Sequence, residues 1–346
     1  MTKDEFYNLI LSPAYDFLRT DPHLGENIMF LTLGGSHAYG TNVEGSDVDV
    51  RGCAMNSSQD ILGFSNFEQR VDTVTDTTIY GFNKLVSLLL SCNPNTIELL
   101  GNKPDQYFYI TPAGKMLVDN KKLFLSQTAV HAFGGYANQQ LRRLQNALAH
   151  DHYTQDEKER HILGTCKSVF ENFRLQHADI PGDSVRLYID KGVTEGMDTE
   201  IFIDCDLKHY PLRSFKEMNS DLGTVIGQYA KLGKRNSKKD DQHLNKHAMH
   251  LVRLYLMCFD ILEKGEINTY RENDRDFLLE IRAGKFQKPD GTYYQEFFDL
   301  IDQYEKRLQY DKANTMLPKT PDYKRVEELV MEVNYHACTT RYPPAA

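Results

Sequence analysis

The chain has 346 residues, a length that predicts about two domains, and its 40% hydrophobic and 26% charged residues exclude collagen, a coiled coil and extensive disorder. The formal net charge of −9 argues against a protein that coats nucleic acid by bulk electrostatics, but it leaves room for a local basic groove. The six cysteines never form a C-x-x-C pair, so the sequence indicates neither a zinc site nor a thioredoxin-like site.

The first third of the chain has the pattern of a small α/β domain. An apolar run over residues 28–33 ends at Gly34 and Gly35, which is typical of a buried strand that enters a tight loop. An earlier helical pattern is interrupted near Pro13, because proline disrupts a helix. In chain order, we predict a helix over residues 5–18, strands over 28–33, 48–55 and 71–82, and a helix over 83–90.

The remainder of the chain is predicted to be mainly helical. Residues 185–189 and 200–205 have strand character and flank a glycine-containing turn, which predicts one β-hairpin. Helical patterns cover about residues 125–150, 156–177, 214–232, 242–264, 273–283 and 293–309. We therefore expect an α+β fold, with a small head of mixed sheet and helices at residues 1–110 and a larger, mainly helical domain at residues 111–346 that completes a cleft.

The most informative segment joins the first two predicted strands. It reads Leu33-Gly34-Gly35-Ser36-His37-Ala38-Tyr39-Gly40, followed after a short loop by Ser46-Asp47-Val48-Asp49-Val50-Arg51-Gly52. A strand that ends in Gly-Gly-Ser can turn sharply and present N–H groups and a hydroxyl to a polyphosphate. Side chains alternate along a strand, so we predict that Asp47, Asp49 and Arg51 share one face. We interpret His37 as a polar loop residue.

Two carboxylates about 6 to 7 Å apart along a strand repel one another unless a cation lies between them. The hard oxygen ligands favour Mg²⁺, with Mn²⁺ as the alternative. A third carboxylate is expected on the next predicted strand, where Asp76 is the candidate and Asp72 is the alternative on the same face. Arg51 either contacts a phosphate or pairs with a neighbouring carboxylate, and the sequence leaves both interpretations open.

The two motifs, G-S-x-A-Y-G and S-D-x-D-x-R-G, resemble the nucleotidyltransferase superfamily that includes DNA polymerase beta. Within it, the chain is similar to nucleotidyltransferases associated with RNA ligases, found in bacteria and large tailed phages. The similarity extends to residues 93–100, 246–254 and 278–284. It implies that Gly35 and Ser36 hold the triphosphate of an NTP, that Asp47 and Asp49 bind the metal, and that Asp76 takes the third carboxylate position.

A predicted helix from residue 242 carries a mixed set of polar side chains. His243, His247 and His250 follow at spacings of four and three, so they project from one face, and a metal trio is one interpretation. Lys246 and Arg253 lie near them, which favours a phosphate-binding face instead. We therefore predict that Lys246, His250 and Arg253 bind the nucleotide from the helical domain.

These observations predict an Mg²⁺-dependent enzyme that transfers a nucleoside monophosphate from an NTP to an acceptor hydroxyl and releases pyrophosphate. The resemblance favours RNA as the acceptor, and so does a basic run at Lys231, Lys234, Arg235, Lys238 and Lys239. The alternatives are an antitoxin-like enzyme that modifies a protein, and a nucleotide-binding sensor without turnover.

The sequence also gives expectations about location and partners. It lacks a secretory signal and an apolar run of roughly 18 residues, so we expect a cytoplasmic protein without a membrane partner, located in the host cytoplasm if a phage encodes it. The oligomeric state is left open.

Overall fold

The structure, a computed structural model, describes residues 1–152, 155–177, 180, 184–193, 199–235 and 241–339. The expected α+β class is confirmed, since a mixed sheet in the N-terminal part is followed by a mainly helical C-terminal part. Among these residues no helix is long and apolar enough to cross a membrane. Two compact units are present, one of residues 1–142 and 245–346 and one of residues 143–244. They divide the chain differently from the boundary expected near residue 110, which stays a prediction.

The sheet and its helices occupy the first 119 residues. Thr2 caps the first helix, because its hydroxyl accepts a hydrogen bond from the Glu5 N–H while the Glu5 carboxylate accepts one from Thr2 N. The predicted break near Pro13 is confirmed as a single 3-10 turn. The elements are α1 Lys3–Ile10, α2 Phe17–Thr20, β1 Ile28–Leu33, α3 Gly35–Tyr39, β2 Val50–Ala54, α4 Ser58–Leu62, β3 Gln69–Asp72, β4 Thr77–Gly81, α5 Phe82–Leu90, α6 Pro94–Ile97, β5 Tyr107–Ile110 and α7 Pro112–Asp119.

The five strands of this part form one mixed sheet in the order β3-β4-β2-β1-β5. Strands β2 and β4 are parallel, with Arg51 opposite Thr78, and the other neighbours are antiparallel. Every residue of β1 is buried. On one side a core cluster joins the N-terminal helices to the sheet through Phe6, Tyr15, Leu18, Leu31, Leu33, Val50 and Ile79. Burial of both faces explains the uninterrupted apolar run that predicted β1.

Two of the predicted strands were partly wrong. The single strand expected over residues 71–82 is a hairpin, because Thr73–Asp76 form the turn between β3 and β4. The second strand begins at Val50 rather than at residue 48, so Asp47 and Asp49 precede it. The short strand β5 was not predicted.

The predicted helices of the second half are confirmed with small shifts in their bounds. A π-helical turn, Asp260–Lys264, continues the long helix that was expected to reach residue 264. A last helix was not predicted, although Val326, Leu329 and Val333 have helical spacing. The elements are α8 Thr128–His152, α9 Gln155–Gln176, β6 Val185–Lys191, β7 Thr199–Cys205, α10 Leu212–Arg235, α11 Asp241–Phe259, α12 Arg275–Arg282, α13 Gln295–Asn314 and α14 Tyr323–Thr339.

The unit of residues 143–244 contains the predicted β-hairpin. Strands β6 and β7 pair antiparallel, from Val185 opposite Cys205 to Lys191 opposite Thr199. Helix α9 packs against both strands and against α10. The shared core is formed by Phe170, Phe173, Val185, Met218 and Leu222.

A buried carboxyl in α13 makes the stability of the protein depend on pH. Burial and the nearby charge of Glu263 raise the pKa of Asp311 to about 6, although Arg307 Nε lies 3.9 Å from its Oδ2 atom. A raised pKa means that the folded state loses stability as the pH rises from the unfolded value of about 4 through 6. Ionised Asp311 therefore destabilises the protein at pH 8.

We expect Asp311→Asn to raise the melting temperature by about 2 to 4 °C at pH 8 and by much less at pH 4.5, because the ionised form is the unfavourable one. Thermal unfolding followed by circular dichroism at the two pH values measures the difference. Asp299→Asn on the exposed side of the same helix is the control and should change neither value. An equal shift at both pH values would contradict the assignment.

Candidate active site

The turn that leads from β1 into α3 is packed against Asp49, which precedes β2, and against Arg51, which lies in β2. Gly34 N donates a hydrogen bond to Asp49 O at 2.8 Å, which fixes the two segments side by side. Gly35 has a φ of +54°, and a Cβ atom there would lie 1.7 Å from Asp49 Oδ2. A Cβ atom on Gly34 would lie 2.7 Å from Arg51 Cγ. Both glycines are therefore needed for Asp49 and Arg51 to lie against the backbone of the turn.

Gly35→Ala is expected to destabilise the protein by more than about 1 kcal/mol, because alanine disfavours positive φ and its methyl group overlaps the Asp49 carboxyl group. The matched control is Gly135→Ala, since Gly135 is exposed in α8 and a Cβ atom there meets nothing within 4 Å. That control should stabilise the protein by about 0.5 to 1 kcal/mol. Urea unfolding of the two variants tests the assignment, and similar effects of both would contradict it.

Asp49 and Asp76 are brought together although they lie on different segments. Their carboxyl groups lie within hydrogen-bonding reach of each other. Burial, followed by the hydrogen bond to Asp76, raises the pKa of Asp49 to about 6. The same hydrogen bond, together with the charge of Arg51, holds the pKa of Asp76 below its ordinary value. The ionisation of one carboxyl group therefore disfavours that of the other, an arrangement that a bound cation would relieve.

Local structure in the hairpin decides which of its two aspartates reaches Asp49. Asp76 is the last residue of the turn and has a φ of +45°, a conformation that aspartate tolerates better than most residues. Asp72 instead closes the turn, because its Oδ1 accepts hydrogen bonds from Val74 N, Thr75 N and the Thr75 hydroxyl. The geometry thus brings Asp76, and not Asp72, close to Asp49, while the role of Asp76 as the third carboxylate stays a prediction.

Arg51 is engaged by the same turn. Its Nη2 lies 3.2 Å from Asp76 Oδ1, its Nη1 donates to Asp76 O, and a second bond from Nη1 reaches Val50 O at 3.1 Å. The sequence left two interpretations of Arg51 open, a phosphate contact or an ion pair with a carboxylate. The structure contains the ion pair, with Asp76. This pairing holds the Asp76 carboxylate beside Asp49.

Asp47 is exposed in the loop before β2. In the part of the chain that the structure describes, no group of three or more histidine, cysteine, aspartate or glutamate side chains is arranged to hold a metal. The geometry therefore assembles the pair of Asp49 and Asp76, while the participation of Asp47 stays a prediction.

The three residues predicted from the long helix α11 are placed differently. Lys246 is exposed, and its charge lowers the pKa of both Asp49 and Asp76, so it lies in the vicinity of the carboxyl pair. His250 is mostly buried, and burial together with the charge of Arg253 holds its pKa well below its ordinary value. Its Nδ1 therefore accepts a hydrogen bond from Arg253 Nη2, at 3.1 Å.

Arg253 is 1% exposed and forms the centre of a buried network. Its Nη1 donates to Glu98 Oε2 at 3.1 Å, and its guanidinium lies 3.6 Å from the centroid of the Tyr39 ring. The Tyr39 hydroxyl donates to Glu98 Oε1 at 2.9 Å. The network connects α11 to the end of α3, so it braces the helix that begins with Gly35 and Ser36. A phosphate contact from Arg253 or His250 stays a prediction.

From the sequence, Glu98 is expected only to cap or brace the head, and the arginines of α12 have no assigned role. Arg275 Nε donates to Gly40 O at 2.8 Å, and Arg282 Nη1 donates to Thr41 O at 2.7 Å. These bonds fix the chain where it leaves α3. The available signal for Glu98 was a single carboxylate within the apolar run of residues 97–100.

The basic run of residues 231–239 falls on side chains outside the described part.

Residues 15–175 match the model of a known family, the RNA repair pathway DNA polymerase beta family. This match, over just under half of the chain, confirms the resemblance to the polymerase-beta-like nucleotidyltransferase family drawn from the Gly-Ser and Asp-x-Asp motifs. No curated protein and no solved structure matches the chain.

Proposed function

We propose that the protein transfers a nucleoside monophosphate from an NTP to a hydroxyl group of RNA and releases pyrophosphate. One observation carries the proposal: the carboxyl groups of Asp49 and Asp76 meet beside the Gly35-Ser36 turn, within a region that matches a polymerase-beta-like family. Carboxylates next to a phosphate-binding turn are what nucleotidyl transfer requires, because charge develops on the phosphate oxygens during the reaction.

The residues present fit a divalent cation. Asp49 and Asp76 offer only oxygen ligands, and their carboxyl groups lie close enough for each to shift the pKa of the other, so two negative charges there require compensation. Asp47, exposed at the end of the preceding loop, would supply a further carboxylate. When bound, Mg²⁺ or Mn²⁺ would neutralise charge on the triphosphate and on the leaving pyrophosphate.

The proposed roles follow from the positions of the side chains. Gly35 and Ser36 hold the triphosphate, and Lys246 adds a positive charge on the side of α11. The acceptor hydroxyl oxygen attacks the α-phosphorus, the bond from that phosphorus to the bridging oxygen breaks, and pyrophosphate leaves with the bonding electrons. The Asp76 carboxylate, oriented by Arg51, accepts the proton of the hydroxyl.

The acceptor is inferred from the matched family, whose description names an RNA repair pathway. Incubation of the purified protein with Mg²⁺, each α-labelled NTP in turn, total RNA and total protein tests this inference. We expect label in RNA with one or a subset of the NTPs, and no label with the variant Asp47→Ala, Asp49→Ala. Label in protein alone would identify a protein-modifying enzyme, and NTP binding without any transfer would identify a sensor.

A further inference from the structure

Three arginines in residues 271–282 hold the chain where it leaves α3. Their bonds run from Arg271 N to Tyr39 O at 3.0 Å, from Arg275 Nε to Gly40 O at 2.8 Å and from Arg282 Nη1 to Thr41 O at 2.7 Å. Carbonyl groups at the end of a helix lack a partner within that helix, so these donors supply one. The segment therefore fixes the exit of α3.

The side chains of these arginines differ in their ionic partners. Arg271 and Arg275 pair with the carboxylates of Asp260, Asp274 and Asp276. Arg282 is half-buried, and within the described part of the chain no carboxylate lies at ion-pairing distance from its guanidinium. A guanidinium has five N–H donors, and the bond to Thr41 O occupies only one of them. Arg282 therefore keeps its other donors for a ligand.

The Arg282 guanidinium carries its charge in surroundings that disfavour it. Burial lowers the pKa of Arg282, although arginine stays protonated in proteins. A partly desolvated charge without a counter-ion costs stability, and a bound anion would offset that cost. Carboxylates are abundant in a chain with a net charge of −9, yet none in its described part pairs with this side chain. The position is therefore suited to an anion from outside the protein.

Arg282 is joined to the Gly-Ser turn through a single residue. The N–H group of Thr41, whose carbonyl oxygen accepts the bond from Arg282, donates to Ser36 O at 2.9 Å. Thr41 is 0% exposed, so its position is fixed by packing as well as by these two bonds. The guanidinium and Ser36 are thus linked across one buried residue.

The end of α12 also packs against the start of α11. A Cβ atom on Gly284, two residues after Arg282, would lie 3.3 Å from Asn245 Nδ2. Lys246 follows Asn245, and its charge lowers the pKa of both members of the carboxyl pair. Arg282 and Lys246 therefore lie at neighbouring helix ends beside the candidate active site.

We propose that Arg282 binds a phosphate group of the NTP, beside the phosphates that Gly35 and Ser36 hold. The planar fork of N–H donors matches two oxygens of one phosphate group. The bond to Thr41 O can persist, so binding leaves the exit of α3 in place. The inference rests on the proposed function, since it adds a binding residue for the same triphosphate.

The proposed reaction contains two sources of phosphate, the triphosphate of the NTP and the backbone of the RNA acceptor. The link through Thr41 to Ser36 favours the triphosphate, because Ser36 belongs to the turn that is proposed to hold it. Inorganic tripolyphosphate carries the charges of the triphosphate without a base, so it is a probe for any NTP. A labelled single-stranded RNA oligonucleotide is the probe for the second source.

The test compares two arginines of one helix. Arg282→Gln and Arg275→Gln each remove a guanidinium that donates to a carbonyl oxygen at the exit of α3, so both should lower the melting temperature by a similar amount. Arg275 differs in being paired with Asp276, which makes its variant the matched control. Arg282→Lys is a third variant, which keeps the charge and loses the planar fork.

The measurement is isothermal titration calorimetry of the full-length protein with inorganic tripolyphosphate in the presence of Mg²⁺. We expect Arg282→Gln to weaken binding about tenfold, because it removes charge-assisted hydrogen bonds, and Arg282→Lys to recover part of the loss. Arg275→Gln should change binding by less than about twofold, because its charge is already paired. Wild-type affinity in Arg282→Gln, or equal losses in the two glutamine variants, would overturn the proposal.

Two further arms separate the source of the phosphate and the proposed function. Fluorescence anisotropy should show equal binding of the RNA oligonucleotide by the wild type and by Arg282→Gln, and a loss of RNA binding alone would overturn the assignment to the NTP. Label transfer from an α-labelled NTP is measured on the same preparations. If tripolyphosphate binding depends on Arg282 but no transfer occurs, the proposed function fails and the phosphate site stands. If transfer occurs and the KM for the NTP is unchanged in Arg282→Gln, the phosphate site alone fails.

Discussion

Asp49→Asn and Asp76→Asn are each expected to lower the rate of nucleotidyl transfer by at least about 10²-fold, while the protein remains folded. Either change removes one of the two carboxylates that meet beside Gly35, and with it the charge needed to hold a divalent cation. Rates of label transfer from an α-labelled NTP at saturating Mg²⁺ measure the loss. Circular dichroism confirms that each variant is folded.

The control for these variants lies in the same hairpin. Asp72 accepts hydrogen bonds from within its own turn, and an asparagine in its place retains an Oδ1 that accepts them. Asp72→Asn should therefore transfer label at close to the wild-type rate. A loss with Asp72→Asn and full activity with Asp76→Asn would show that the third carboxylate has been assigned to the wrong residue.

Glu98→Ala is expected to destabilise the protein by about 3 to 5 kcal/mol, the largest effect on stability that we predict. The substitution leaves the Arg253 guanidinium, which is 1% exposed, without the carboxylate that accepts its hydrogen bond. The Tyr39 hydroxyl loses its partner as well. The free energy of unfolding in urea measures the cost.

Two further variants separate the stability cost of leaving the buried Arg253 charge unpaired from a general effect of losing a glutamate. The double variant Glu98→Leu, Arg253→Met removes both charges and should be clearly more stable than Glu98→Ala. Glu68→Ala breaks an exposed pair with Lys84 and should cost at most about 1 kcal/mol. If Glu98→Ala costs no more than Glu68→Ala, the buried pair does not brace the structure.

Much of the sheet could be predicted from the sequence because its pattern is local. The apolar run of residues 28–33 predicted β1 correctly, since layers on both faces of the sheet require apolar residues throughout. The hairpin at β3 and β4 was missed because Thr73-Val74-Thr75 are residues that favour strands, and the turn contains neither glycine nor proline. Its one signal was Asp76, which tolerates a positive φ.

The sequence indicated which residue types form the candidate site, but it did not show how those residues come together. The second strand was predicted to begin too early, since β2 begins only at Val50, but Asp49 and Arg51 both lie beside Gly34, as their predicted shared face requires. Asp49 lies beside the turn because Gly34 and Gly35 have no side chains and leave room for it. The sequence showed the two glycines, but it did not show which side chain fills the space beside them. The bond between Glu98 and Arg253 joins residues 155 positions apart, and no local pattern predicts such a partner.

The central claim is that the carboxyl pair at Asp49 and Asp76 serves nucleotidyl transfer, and one measurement tests it most directly. The protein is incubated with Mg²⁺, RNA and an NTP labelled at both the α- and γ-phosphates, and labelled RNA and labelled pyrophosphate are counted together. The account predicts one pyrophosphate for each nucleotide added, with both products lost in EDTA and in Asp49→Asn. Release of inorganic phosphate instead, or transfer that survives Asp49→Asn, would contradict it.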